Sequence, residues 1–125
     1  MNPLILIVND KPEITAIISM FLRSHYRTQV CTTGQEAVLW LETNQELPSL
    51  ILVEINMADT DIYQLIRELK NDSRREHIPI IALFDTEDLI VQQNLIDMGI
   101  KEFVLRPFNP EELKIRIGKI LFGIN

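Results

Sequence analysis

Three short runs along the chain contain only apolar residues: Leu4 to Val8 (LILIV), Leu50 to Val53 (LILV) and Ile80 to Leu83 (IIAL). They are too short for helices and rich in β-branched side chains, so they predict strands buried on both faces. Two further segments differ. Thr28 to Thr32 (TQVCT) alternates polar and apolar, and Glu102 to Leu105 (EFVL) is short and only partly apolar. Such patterns predict strands with one covered side, at the margins of a sheet. Between the strands the period becomes helical. Ile14, Ile17, Ile18, Phe21 and Leu22 form one stripe, and Ile62, Leu65, Ile66 and Leu69 another. A second helix presents Ala37, Val38 and Leu41, and a fourth, near Glu87 to Met98, presents Val91, Leu95 and Met98. Pro12 suits a first helical position, Thr33 and Glu36 have capping-box spacing, and Asn109, Pro110 and Glu112 open the last helix. Gly99 and Gly123 fit helix exits.

Strand and helix thus alternate five times, which predicts an α/β fold: an open parallel sheet, doubly wound, with helices on both faces. Strand one is doubly buried and strand two marginal, so strand one belongs inside the sheet with strand two outside it. The predicted order is 2-1-3-4-5, the flavodoxin-like (βα)5 arrangement. Right-handed crossovers place the functional crevice beyond the carboxyl ends of strands one and three. A length of 125 residues fits one domain over residues 1–125, with no linker or low-complexity segment inside it.

Charge and composition narrow the function. Twelve Lys and Arg against eighteen Asp and Glu leave a net charge of −6, so direct binding to a nucleic acid backbone is not expected. The single cysteine, Cys31, allows no internal disulfide, and two histidines cannot complete a thiolate-rich zinc site. Cys31 reads as a small apolar filler. No apolar run approaches a membrane span, and Met1-Asn2-Pro3 lacks the basic start of a secretory signal. A cytoplasmic protein without membrane association is the expectation. His25 and His77 read as solvated loop residues, and Arg74 and Arg75 as a solvated face at a helix exit.

The predicted strand ends carry Asn9 and Asp10, then Glu54 and Asn56, then Phe84 and Asp85, then Arg106-Pro107. Together with their flanks, LILIVNDKPEI (Leu4 to Ile14), SLILVEINM (Ser49 to Met57), IPIIALFD (Ile78 to Asp85) and KEFVLRPF (Lys101 to Phe108), they make the chain resemble the receiver domain of bacterial two-component response regulators over essentially its whole length. The resemblance implies an acidic pair after strand one, a phosphorylated Asp ending strand three, a Thr or Ser ending strand four, and a Lys-Pro step after strand five. This sequence departs at nearly every one. Of the acidic pocket formed by Asn9 and Asp10, only Asp10 is acidic; Glu54 stands at the phosphoacceptor position; Phe84 replaces the hydroxyl residue; Arg106, followed by Pro107, replaces the Lys. Ala58 and Ile62 stand where the family has Pro and Gly.

Each replacement has a chemical consequence. Glu can in principle form an acyl phosphate, but one extra methylene moves the nucleophile by about 1.5 Å, and misplacement near 1 Å can cost about a hundredfold in rate. Phe84 has no hydroxyl for a phosphoryl oxygen. Family receivers use Mg2+, whose ligands here would be Asp10, Glu54 and the Asn56 carbonyl, a weak or absent metal site. In the family three carboxylates and a Lys leave two net negative charges, whereas Asp10, Glu54 and Arg106 leave one. No other cofactor is implied. Arg106 is expected to reach Glu54 or Asp10 and take part of the metal's space. Asp10 could instead only complement the helix dipole, and Glu54 with Arg106 could be a structural ion pair.

The function expected from these features is an atypical, pseudo-receiver-like signalling domain in a two-component phosphorelay, acting by protein contact without Asp phosphorylation and without enzymatic activity. Its partner would be a histidine kinase, an output protein or a second copy. The face of helix four, strand five and helix five, carrying Gln92, Gln93, Lys101, Glu102, Lys114 and Lys119, is the candidate surface. Switching in the family couples the residue at Phe84 to an aromatic on strand five, here Phe103. A working receiver phosphorylated on Glu54 and a flavodoxin-like small-molecule binder are the alternatives, and fold alone does not separate them.

Overall fold

The structure, a computed structural model, describes residues 1–123. Strands β1 (Leu4–Val8), β2 (Arg27–Cys31), β3 (Leu50–Glu54), β4 (Ile80–Phe84) and β5 (Glu102–Leu105) alternate with helices α1 (Pro12–Leu22), α2 (Gly34–Thr43), α3 (Ile62–Lys70), α4 (Leu89–Asp97) and α5 (Pro110–Phe122). All neighbouring strands are parallel, and the order is β2-β1-β3-β4-β5, as the apolar runs predict. The three central strands are buried at every position. At the margins, β2 buries only Cys31, and β5 leaves Leu105 46% exposed.

Because side chains alternate along a strand, each central strand serves two cores. Leu6, Val8, Ile51, Val53 and Ala82 pack against α2, α3 and α4 through Ala37, Leu41, Leu65, Ile66 and Leu95. Ile5, Ile7, Leu50, Leu52, Ile81 and Leu83 pack against α1 and α5 through Ile18, Leu22, Leu113 and Ile117. The sheet is therefore fixed from both sides, and the loops at its carboxyl end extend from rigid supports. No helix among the described residues is long and apolar enough to cross a membrane.

Several element ends differ from the pattern's prediction. β2 starts at Arg27 and stops at Cys31, one residue earlier than predicted at each end, while β3 and β4 each run one residue further, to Glu54 and Phe84. The fourth helix is preceded by a separate 3-10 turn over Thr86–Asp88, closed by reciprocal side-chain bonds of Asp85 and Asp88. In α2 only half of the capping box forms: Thr33 Oγ1 accepts from the Glu36 N–H at 3.0 Å, but Glu36 Oε2 bonds the Thr32 hydroxyl at 3.1 Å. One expectation is overturned outright. Arg75 is not part of a solvated face but buried at 6% exposure, where its Nη2 donates to the Glu68 carbonyl at 2.9 Å and Asp72 lies 3.7 Å from Nη1. The backbone turns back on itself there, with the Arg75 and Glu76 N–H groups on the Asp72 carbonyl and the Ile78 N–H on that of Arg75, and the guanidinium is buried in the turn; Arg74 remains exposed.

Gly34 shows how tightly α2 meets the loop before α3. Its N–H donates to Thr60 Oγ1 at 2.8 Å, and an added Cβ would lie 2.8 Å from Thr60 Cγ2 and 3.4 Å from Leu65. Thr60 could clear that methyl only by giving up its hydrogen bond. Gly34→Ala is expected to lower stability by about 1–3 kcal/mol, the usual range for overpacking. Urea denaturation measures it, and an unchanged midpoint would show that this approach is not tight.

Candidate functional site

Parallel register pairs Val8 with Val53, Glu54 with Leu83 and Phe84 with Leu105. The residues that follow these positions, Asn9, Asp10, Asn56, Asp85 and Arg106, therefore gather at one end of the sheet. His25 and His77 lie in loops at the amino ends of strands, away from this pocket, and both are exposed. Cys31 is buried among apolar neighbours, and desolvation pushes its thiol pKa up to about 11.

Glu54 ends the central strand β3 and has no exposed surface. Its Oε2 accepts from the Asn56 N–H at 2.9 Å, and its Oε1 is 2.8 Å from Arg106 Nη1, an ion pair without hydrogen-bond alignment. Arg106, 15% exposed, is shared: Nη2 donates to Asp85 Oδ2 at 3.1 Å and stands 4.0 Å from Asp88 Oδ2. The guanidinium thus reaches Glu54 as expected of it, and not Asp10. Burial raises the Glu54 carboxyl above its ordinary pKa of 4.5, outweighing the opposing Asn56 N–H, Arg106 and Lys11. A guanidinium divided among three carboxylates compensates any one of them only in part. The Arg106-Pro107 peptide bond is cis.

Asp10 has a different environment. Oδ2 accepts from the Ala58 N–H at 3.0 Å, while Oδ1 is 3.1 Å from Lys11 Nζ, and the same ammonium donates to the Asn56 carbonyl at 2.7 Å. The Ala58 N–H, and after it the Lys11 ammonium, hold the Asp10 carboxyl below its ordinary range despite some desolvation. Asn9 is buried; its Oδ1 accepts from the Lys11 N–H at 3.0 Å, and its Nδ2 has no partner among the described residues.

The structure brings Asn9, Asp10, Glu54, Asn56, Asp85 and Arg106 together, and adds two residues that the sequence pattern does not single out: Lys11 and Asp88. For Asp88 a signal existed, since Asp85-Thr-Glu-Asp88 has the spacing of an acidic capping box. For Lys11 there was none beyond adjacency to Asp10, because the reach of a lysine is not encoded in periodicity. Phe84 is a core residue, its ring edge-on to Phe103 with centroids 5.7 Å apart at 84°.

These residues do not fit the divalent ion that the resemblance implies. Mg2+ requires near-octahedral oxygen ligands and seldom uses an all-protein cage. Two of the three candidates, the Asp10 carboxylate and the Asn56 carbonyl, are already joined by the Lys11 ammonium, and Glu54 is engaged by Arg106 and the Asn56 N–H. Among the described residues no group of three or more His, Cys, Asp or Glu is placed to hold a metal.

Comparison with known proteins bears on the family and the fold. The response regulator receiver domain family matches residues 5–118. A histidine kinase of Formosa agariphila is 31% identical over 117 residues, 94% of this chain and 8% of that protein. A probable transcriptional regulator of Guillardia theta is 31% identical over 122 residues, 97% of this chain and 46% of that protein. The chain therefore spans less than half the length of these curated relatives. Among solved structures, the receiver domain of a Pseudomonas aeruginosa sensor histidine kinase, crystallised with a magnesium ion coordinated in its active-site cleft, superimposes with a TM-score of 0.84. It shares 28% sequence identity over 99% of this chain and 100% of that one.

The raised pKa of Glu54 has a measurable sign. The fold favours the protonated carboxyl, so this residue's contribution to stability grows as pH falls from its raised folded value towards 4.5, the ordinary one, and is constant below. Glu54→Gln removes that titration while keeping the shape. The stability of the wild type relative to Glu54→Gln is expected to rise across that window as pH drops, as read from urea midpoints. A difference that falls instead would mean that Arg106 dominates over burial.

Proposed function

The chain belongs to the response regulator receiver family, and from that premise we propose that it is an atypical receiver, signalling in a two-component phosphorelay by protein contact rather than by accepting a phosphoryl group. One observation carries the proposal: Glu54, at the phosphoacceptor position, has no exposed surface and both its oxygens are engaged. Attack on a phosphodonor needs a carboxylate oxygen free to approach phosphorus to about 3–3.5 Å in line. Glu54 would first have to leave Arg106 and the Asn56 N–H, and Phe84 would then offer the product no hydroxyl. The domain is accordingly proposed to be non-enzymatic and independent of Mg2+.

A flavodoxin-like small-molecule site is disfavoured by the same pocket. A phosphate cradle needs free backbone donors at a helix start. Here the Lys11 N–H is already bonded to Asn9, and Pro12 at the head of α1 has none.

The proposed contact surface is α4, β5 and α5, with a kinase, an output domain or a second copy as its occupant, and with neither nucleic acid nor membrane. Gln93, Lys101 and Lys119 are exposed there, while Gln92, Glu102 and Lys114 are half-buried. Exposed Ile90, Leu105 and Ile115 stand on the same elements. Arg116 of α5 donates to the Phe103 carbonyl, so part of the β5 edge is already satisfied from within. Mixed charge around a few apolar side chains suits a reversible interface.

Two tests follow. After incubation with acetyl phosphate and Mg2+, the intact mass is expected to stay unchanged, and beryllofluoride with Mg2+ is expected to leave the amide resonances of Phe103 and α4 in place. A phosphorylated species, or shifts spreading from the pocket to Phe103, would revive the working receiver modified on Glu54. Separately, charge reversal at Lys101 and Lys119 together is expected to weaken partner or self-association at low salt by about tenfold, the usual scale for a small number of rim charges. Affinity indifferent to both substitutions would assign the contact to another face.

A further inference from the structure

The Lys11 side chain follows the acidic position of β1 directly, yet it reaches forty-five residues along the chain to the loop after β3. Its Nζ lies 2.7 Å from the Asn56 carbonyl and 3.1 Å from Asp10 Oδ1, while the other Asp10 oxygen takes the Ala58 N–H at 3.0 Å. One positive centre therefore joins a carboxylate on the β1 side to a carbonyl on the β3 side. These are two of the three groups that the family resemblance would give to a metal.

We propose that the Lys11 ammonium is the resident cation of this pocket and replaces the divalent ion, fixing the loop after β3 to the end of β1. Three features of the geometry support it. The ammonium is a compact charge with three donors, and two of them are aimed at the same oxygens a metal would take. The pocket keeps enough negative charge to require a cation, because Arg106 is already divided among Glu54, Asp85 and Asp88. The Asp10 carboxylate can order the Ala58 N–H only while it is itself held in place, and Lys11 is what holds it. Lys11 is thus a positioning residue that acts through Asp10.

The inference does not depend on whether Glu54 is phosphorylated, and its test reads a different atom. Amide hydrogen exchange at Ala58 is followed by NMR in the full chain, for the wild type, Lys11→Met and Lys11→Gln, with and without millimolar Mg2+. Loss of the ammonium is expected to speed exchange at Ala58 by about tenfold, as for the loss of a charge-assisted hydrogen bond. Exchange in the strands β1 and β3 should stay unchanged. Mg2+ should slow Ala58 exchange again in both variants and leave the wild type unaffected. Unchanged exchange in the variants, faster exchange without rescue by Mg2+, or Mg2+ shifting the Asp10 and Ala58 resonances of the wild type as readily as those of the variants would each overturn the proposal.

Discussion

The pocket is organised by a single constraint: a carboxylate with no access to water closes the central strand, and one guanidinium must answer it. A buried charge without a partner is costly, and a buried ion pair typically does little better than break even against apolar packing. Glu54 and Arg106 are therefore a poor source of stability but a strong source of geometry. Arg106 cannot leave without abandoning Glu54, and its other terminal nitrogen, Nη2, holds Asp85 and comes within reach of Asp88. Through that one side chain the ends of β3, β4 and β5 are tied together, and the 3-10 turn that starts the path into α4 is tied with them.

The two cations divide the carboxylates by depth. Arg106 serves the inner group at Glu54, where desolvation dominates and the carboxyl titrates high; Lys11 serves the outer one at Asp10, where a backbone N–H and the ammonium win and the carboxyl titrates low. Two carboxyl groups, each beside a cation, thus shift in opposite directions according to solvent access. Each of the two tethered charges thus serves one side of the pocket.

The fold was almost fully legible, because it rests on patterns one residue wide. Continuous apolar runs marked β1, β3 and β4, the weaker ones marked the margins, and the order followed from which strands were doubly buried. Element ends were less so: whether Glu54 and Phe84 continue their strands depends on pairing with Leu83 and Leu105, which local sequence does not state. In the site, Glu54 and Arg106 were readable from position and charge. The reach of Lys11 was not, nor was the burial of Arg75, since long side chains choose their partners by reach after the backbone is set. A flexible stem that can point to solvent or inward leaves no trace in periodicity.

The same ties bear on movement. Asp85 and Asp88 bring the start of the β4–α4 connection under Arg106, while Phe84, one residue earlier, is held edge-on against Phe103 of β5. Such an aromatic pair adds about 0.5–1.5 kcal/mol beyond its buried area, while Phe103 is only half-buried and a cavity of about 350 Å³ borders both rings. An input at the pocket shifts a conformational equilibrium only by its differential affinity for the two states. A group that makes no bond to residue 84 could act on α4 only by competing for Arg106, against carboxylates already in contact. In the reading proposed above, information enters this domain at its surface, by what binds α4, β5 and α5, and the pocket keeps that surface in one shape.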